Sequence, residues 1–441
     1  MSASQRLYVL LVLAMIPLAA AAQWPELARL GFTIDVLILL ALVIDFQITE
    51  KASLIQASRE VEERLSIGRE NEVVIRITYQ GASPLKCLVK DDSPQAIYKD
   101  QELFELSLTP GTTSKITYKL LPLRRGLYEF GRLNIRYLSK LGLFWRERQV
   151  QATRPVKVFS DLKALQELSV KLSHSSELGE LHKKKRGQGT DFASLREYTD
   201  GDDAKAIDWR ATARRDRPVL RTYEAEQEQR LLILVDAGRM MVSELDGLTR
   251  FDRALNAALC LALTGLSHND QVGIGIFADK PLLYLPPKRG KGYMHRILEA
   301  TFAVEPRMVE PDYAGILAYF AQAQKGRSLM VVLTDLTDPT GSQALLSGLA
   351  NLTPRHLPFC VTLKDKDVQR LATEKLDESK VNKGTLEALY QKAVAIDLSN
   401  QRELALSVLT RRGCLVLDAT PQELSDRLVD RYLEVKARGR L

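Results

Sequence analysis

The chain has 441 residues, of which 45% are hydrophobic and 27% charged, with a net charge of +7. That length accommodates about two or three domains of ordinary globular composition, which excludes a disordered or low-complexity chain. A modest basic excess without a basic block interleaved with aromatics argues against a nucleic-acid partner and suits an anionic membrane surface. Cys87, Cys260, Cys360 and Cys414 are far apart and form no Cys-x-x-Cys pair. Neither a zinc site nor a disulfide framework is indicated, and buried, reduced thiols are expected.

Two apolar segments open the chain, Leu7 to Ala22 and Gly31 to Ile48, joined by a polar link over 23–30. The second has the length to cross a bilayer, while the first is marginal. Arg6, the run Leu7 to Leu18 and the cluster Ala19 to Ala22 also suit a cleavable signal peptide. Two readings therefore stand, a helical hairpin with both ends inside or a cleaved signal followed by a stop-transfer helix. Both leave residues 50–441 in the cytoplasm, and Arg6, Lys51, Arg59 and Arg64 agree, with Arg29 the exception. Asp35 and Asp45 lie near the ends of the second segment, where interfacial placement is expected and a proton or ion path is the alternative.

From about Ser53 to Phe159 the pattern predicts strands at Glu72–Tyr79, Lys86–Lys90, Ser114–Leu120, Arg132–Tyr137 and Val156–Phe159. Their alternation, with turns such as Thr109-Pro-Gly111, predicts a small β-sandwich, a module that presents surfaces more often than it performs chemistry. Residues 160–188 read as a connector with helical spacing from Leu162 to Leu172. Its basic run, Lys183 to Arg186, is either a solvated linker or a lipid-headgroup contact. Gly187 and Gly189 make no phosphate loop, because no Gly-Lys-Ser/Thr follows.

The next stretch, 189–229, is too charged for core yet carries apolar anchors at Phe192, Leu195, Tyr198, Ile207 and Trp209. Thr199-Asp-Gly-Asp202 has tight-turn chemistry, and Asp202 or Asp203 is expected to cap a short helix running through Arg210. Val219 to Glu226 can run extended, with Glu224, Glu226 and Glu228 on one face. Leu231 to Asp236 is a continuous apolar run of the kind a parallel strand covered on both faces requires.

Leu195-Arg-Glu-Tyr198, Gly201-Asp-Asp203, Ile207-Asp-Trp209 and Ala213-Arg214, followed by an acidic strand and the apolar strand ending in Asp236, resemble the domain of unknown function 58 family. The resemblance implies a bacterial protein anchored in the inner membrane by more than one pass. It also implies an immunoglobulin-like β-sandwich, matched at Leu123 to Tyr128 and Leu141 to Phe144, a von Willebrand A-like domain, and a MoxR-type AAA+ ATPase as partner. Other membrane or cell-envelope proteins are further candidate partners. Arg196, Tyr198, Gly201, Asp202, Asp203, Asp208, Trp209 and Arg214 are the motif residues it marks for partner binding or structure, with Trp209 and Tyr198 expected to be structural.

Beyond Asp236, strands at Val272–Phe277, Leu329–Asp335, Pro358–Leu363 and Cys414–Asp418 alternate with helices, which implies a parallel sheet with right-handed crossovers. The organisation expected is therefore two transmembrane helices over 1–49, a β-sandwich over 50–159, the connector 160–188, the motif segment 189–229 and a Rossmann-type, von Willebrand A-like domain over 230–441. Ligands of such sheets gather at the carboxyl ends of strands, where Asp236 and Asp335 fall. The resemblance implies a divalent-cation site there, but Gly238 and Met240 stand where two hydroxyl ligands belong, and the threonine region reads Pro311-Asp-Tyr-Ala314. Asp236 and Asp335 remain candidate Mg2+ ligands of a degenerate site. The five histidines fall in no metal-binding spacing, and no Ser lies in a Gly-x-Ser-x-Gly elbow, so no catalytic residue is expected. The expectation is a membrane-anchored adaptor without a required cofactor, with a divalent-metal-dependent ligand-binding or hydrolytic domain as the alternative.

Overall fold

The computed structural model describes residues 2–179, 186–199, 207–215, 217–224, 229–324, 326–336, 339–353, 355–373 and 383–438. The chain divides into two compact units, Met1–Asp161 and Leu162–Leu441.

The first unit opens with a short strand β1 (Ser2–Ala3) and two helices, α1 (Gln5–Ala20) and α2 (Glu26–Ile48). Among the described residues only α2 is long and apolar enough to cross a membrane, α1 being the shorter apolar helix. Because α2 begins at Glu26, Asp35 falls mid-helix and half-buried, not near an end as expected. Asp45 is fully buried near the carboxyl end of α2, its carboxylate in contact with the turn over residues 139–143.

Eleven more strands follow: β2 (Ile55–Val61), β3 (Arg64–Ser66), β4 (Asn71–Tyr79), β5 (Leu85–Asp91), β6 (Tyr98–Lys99), β7 (Leu103–Leu108), β8 (Thr113–Leu121), β9 (Gly126–Phe130), β10 (Leu133–Leu138), β11 (Phe144–Val150) and β12 (Arg154–Phe159). They build antiparallel sheets of order β1-β11-β10-β5-β7 and β2-β4-β8-β6, and a three-stranded sheet β3-β12-β9 whose β3–β12 pair is parallel. Period-2 alternation buries Val73, Ile75, Ile77 and Tyr79 of β4 on one face, and Leu133, Ile135 and Tyr137 of β10 likewise. Between the two larger sheets, Arg59 of β2 forms a two-pronged ion pair with Asp91 of β5, and the Tyr118 hydroxyl donates to Asp91 at 2.7 Å. Burial, and then the Asp91 carboxylate, push the Tyr118 hydroxyl far above its ordinary pKa, so it stays a donor.

In the second unit, α3 (Leu162–Gly179) buries Leu165 in the core of the α/β domain. The expected connector is therefore in its first half a core helix, because its apolar stripe finds a partner in a neighbouring helix face. The basic run at 183–185 lies outside the described residues. β13 (Arg186–Glu197) pairs antiparallel with β14 (Val219–Glu224), and the seven-residue α4 (Trp209–Arg215) lies between them in sequence. Then come β15 (Arg230–Asp236), a minimal hairpin of β16 (Glu244–Leu245) and β17 (Leu248–Thr249), α5 (Arg250–Ser267), β18 (Gln271–Phe277), β19 (Pro281–Lys288), α6 (Tyr293–Thr301), α7 (Tyr313–Ala323), β20 (Leu329–Thr334), α8 (Pro339–Leu352), β21 (Leu357–Leu363), α9 (Lys366–Thr373), α10 (Lys383–Arg411), β22 (Leu415–Ala419) and α11 (Leu424–Ala437).

Strand order in the main sheet is β19-β18-β15-β20-β21-β22, all parallel except the antiparallel edge strand β19. Leu231, Ile233 and Val235 point into the cluster under α5 and α11, and Leu232 and Leu234 into the one under α7 and α8, which is why β15 reads as an unbroken apolar run. The stretch Lys383–Arg411 is one long helix, α10, because no breaker interrupts it.

Candidate functional site

The carboxyl ends of the parallel strands carry four aspartates: Asp236 closes β15, Asp335 follows β20, Asp365 follows β21 and Asp418 lies in β22. Asp236 is fully buried. Its Oδ1 accepts the Gly238 amide at 2.7 Å, and its Oδ2 accepts the hydroxyls of Tyr313 at 2.7 Å and Thr334 at 2.6 Å. Burial raises the Asp236 pKa, against the lowering effect of those hydrogen bonds. Tyr313 is likewise pushed far up, by burial and then by the Asp236 charge.

Asp335 has no exposed side-chain surface. Arg250 donates to its Oδ2 and Arg402 to its Oδ1, the latter at 2.8 Å. Each arginine then reaches a second carboxylate: Arg250 Nη2 to Asp365 at 2.8 Å, and Arg402 Nη2 to Asp418 at 2.7 Å and to the Leu363 carbonyl at 2.7 Å. Burial works against the Arg402 charge, yet Asp335 and Asp418 hold its pKa above the ordinary guanidinium value. Local sequence aims Arg250: the Thr249 hydroxyl caps α5 by accepting the Asp252 amide at 3.0 Å and donates to the Asp252 carboxylate at 2.6 Å. A Thr-x-x-Asp cap thus makes Arg250 the first residue of α5 and faces it towards the strand ends.

This donor set does not fit a divalent ion. Hard cations need free oxygen ligands, whereas every Asp236 and Asp335 oxygen accepts from a hydroxyl, amide or guanidinium group. A side chain at 238 would place its Cβ 2.4 Å from Pro311 Cγ, so there is no room for the missing hydroxyl ligand. At Asp335 two guanidinium groups supply the positive charge, while at Asp236 an amide and two hydroxyls occupy the carboxylate oxygens. Sequence reading missed Arg250, Arg402, Tyr313, Thr334, Asp365 and Asp418, and of these only Arg250 carried a local signal, the helix cap.

The motif residues are placed differently from one another. Asp208, not Asp202 or Asp203, caps α4, its Oδ1 accepting the Arg210 and Ala211 amides at 3.0 and 3.1 Å. Gly201, Asp202 and Asp203 lie outside the described residues, as do 225–228. Arg196 stands in β13 opposite Leu220. Tyr198 is half-buried, and its amide donates to the Pro218 carbonyl at 2.9 Å. Trp209, expected to be structural, is 70% exposed. With Arg210, Ala213 and Arg214 it forms the open face of α4, because Ala211 and Thr212 turn inward and Thr212 Oγ1 accepts the Val219 amide at 3.0 Å.

A sheet of this order, with helices on both faces and an aspartate closing β15, defines a von Willebrand A-like α/β domain. Residues 194–383 match the family described as protein of unknown function DUF58. An uncharacterized protein of Mycobacterium tuberculosis strain H37Rv is 25% identical over 186 residues, which is 42% of this chain. The chain spans 58% of the length of that curated relative. Among solved structures, the SpRpn10 VWA domain is 17% identical, covers 46% of this chain and 95% of its own, and has a TM-score of 0.28. The conserved hypothetical protein BatB from Bacteroides thetaiotaomicron is 12% identical, covers 48% and 99%, and has a TM-score of 0.29.

Proposed function

We propose that the protein is a membrane-anchored scaffold of the bacterial inner membrane, with its β module and α/β domain in the cytoplasm, and that the DUF58 domain binds a MoxR-type AAA+ ATPase. The observation that carries this reading is the α4 face, where Trp209 is 70% exposed beside the exposed Arg210 and Arg214. Tryptophan and arginine are the residue types that dominate interface energetics, and here an exposed indole stands beside two exposed guanidinium groups on one helix face. The immunoglobulin-like module serves as a spacer that presents the domain. The alternative, a metal-dependent ligand-binding or hydrolytic domain, has against it the arginines bound to Asp335 and the hydroxyls bound to Asp236.

Capture of a purified MoxR-type ATPase by the detergent-solubilised full chain tests the reading. Trp209→Ala and Arg214→Ala should each weaken capture. Equal capture by both variants and the parent chain, or none by the parent, would remove it. A reporter fused after Leu441 that is active outside the cytoplasm would refute the orientation.

A further inference from the structure

We infer that the carboxyl end of α2 and the β module together form a binding site for the phosphate of an anionic glycerophospholipid, held by Lys86 and Lys140 in a pocket at the depth of the headgroups. The inference rests on the membrane-anchored reading, and of the two N-terminal helices it uses α2 alone.

The pocket follows from how α2 meets the sheet. Strands β5 and β10 pair antiparallel with Cys87 opposite Tyr137, so Lys86 stands at the sheet end beside the turn that carries Lys140. That turn is fixed to α2. The buried Asp45 carboxylate accepts the Ser139 hydroxyl at 2.5 Å and the Leu141 amide at 2.8 Å, and the Lys140 amide donates to Thr49 Oγ1 at 3.2 Å. The Tyr137 hydroxyl donates to the Glu50 carbonyl at 3.0 Å, and Arg146 donates to the carbonyls of Phe46, Thr49 and Glu50 at 3.2, 3.2 and 3.1 Å. A guanidinium there satisfies helix-end carbonyls that lack intrahelical partners and faces the negative end of the helix dipole. Between these ties lies a cavity of about 290 Å³ whose polar lining is Thr49, Glu50, Ser83, Lys86, Ser139 and Lys140. Its volume is near the lower end of small-ligand pockets, the size of a headgroup.

The charges around it are not balanced within the chain. Lys86 and Lys140 are exposed, and neither has an ion-pair partner among the described residues. The nearby carboxylates are already engaged: Asp45 is taken up by the turn, and Glu50 Oε1 accepts the Ala82 amide at 3.0 Å. Two ammonium groups against one carboxylate leave the pocket net positive, which favours an anionic headgroup over a zwitterionic one. Lysine binds phosphate as a point charge, and the half-buried Ser83 adds a hydroxyl at the wall.

Depth selects a lipid over a free phosphate ion. At about 1.5 Å per residue the 23 residues of α2 reach just beyond a hydrocarbon core of about 30 Å, so Thr49 and Glu50 emerge among the headgroups. Ile48 in the pocket wall and Leu141 beside Lys140 are exposed apolar side chains. A lipid whose phosphate sits between the lysines covers both with its glycerol and upper acyl chain, whereas inorganic phosphate leaves them in water.

The test uses the full chain in neutral detergent micelles, with phosphatidylglycerol or phosphatidylcholine added and retained lipid counted by native mass spectrometry. One phosphatidylglycerol per chain should be retained in preference to phosphatidylcholine; equal retention of the two overturns the inference. A charge near an anionic lipid is worth about fivefold in binding, so Lys86→Gln with Lys140→Gln should lower retention by about tenfold or more. An equal loss with the control pair Lys90→Gln and Lys115→Gln would reduce the effect to general charge attraction and overturn the site. Ser83→Phe keeps both lysines and fills the cavity; at an unchanged melting midpoint it should abolish retention, and full retention overturns the pocket. Millimolar inorganic phosphate should leave the lipid in place, and its displacement would make this a free-phosphate site instead. Resistance of native membranes to a carbonate wash reads the anchorage alone, so protein that washes out sinks the membrane-anchored reading, while retention in micelles decides the headgroup site.

Discussion

Two parts of the α/β domain handle the same residue types in opposite ways. At the carboxyl ends of the sheet, Arg250 and Arg402 are withdrawn from water and each bridges two aspartates. On α4, Arg210 and Arg214 stay in water beside an exposed Trp209. Buried ions are costly unless paired, as both arginines are here through their Nη atoms, whereas exposed ions keep their hydration and are free to be desolvated by another molecule. The first region is therefore closed by ion pairs, and the second is open to solvent.

The largest expected effect breaks the closed region. Arg402→Ala leaves Asp335 and Asp418 short of a buried partner and should cost about 3–5 kcal/mol, read as the urea midpoint of the α/β domain in the full chain. A loss comparable to that of an exposed arginine would mean that the network is dispensable.

Asp236→Asn is a milder probe with a pH signature. Burial raises the folded-state pKa of Asp236, so its contribution is complete at low pH and is lost as pH rises through the folded value. The substitution removes acceptor capacity for Tyr313 or Thr334 at a cost of about 1–2 kcal/mol at low pH, and the difference from the parent chain should shrink as pH rises. A difference that grows with pH would show a carboxylate whose pKa is lowered.

Trp209→Ala, on the open region, should change stability by no more than about 0.5 kcal/mol while weakening ATPase capture. A large loss of stability would make the indole part of the core after all. Smallest of all should be the response to millimolar Mg2+. A working site at about 100 times its Kd would add roughly 2.7 kcal/mol, and no shift in the melting midpoint is expected. A shift that Asp236→Ala abolishes would restore the metal reading.

Much of the architecture was legible in the residues. The apolar runs ending at Asp236 and Asp335 marked β15 and β20, and strict alternation marked β4 and β10. The β strands that escaped detection, such as β9 and β11, alternate weakly and are exposed on much of one side. Spacing places the short α4 too early: a helix capped by Asp202 or Asp203 and running through Arg210 is expected, whereas α4 spans Trp209–Arg215 behind Asp208, and four aspartates over 200–208 offer themselves as caps.

By itself the sequence determined the order of the parallel strands, their two-sided burial and the presence of an apolar N-terminal segment long enough to span a bilayer, because these follow from local periodicity and length. Only the tertiary structure decided what the strand-end carboxylates do. Arg250 and Asp365 stand 115 positions apart and Arg402 and Asp335 stand 67 apart, so no local pattern pairs them. The same holds for Asp45, whose carboxylate meets the amide of Leu141 from 96 positions away. A buried ion is defined by the partners that surround it, and those partners are brought together only when the chain has folded.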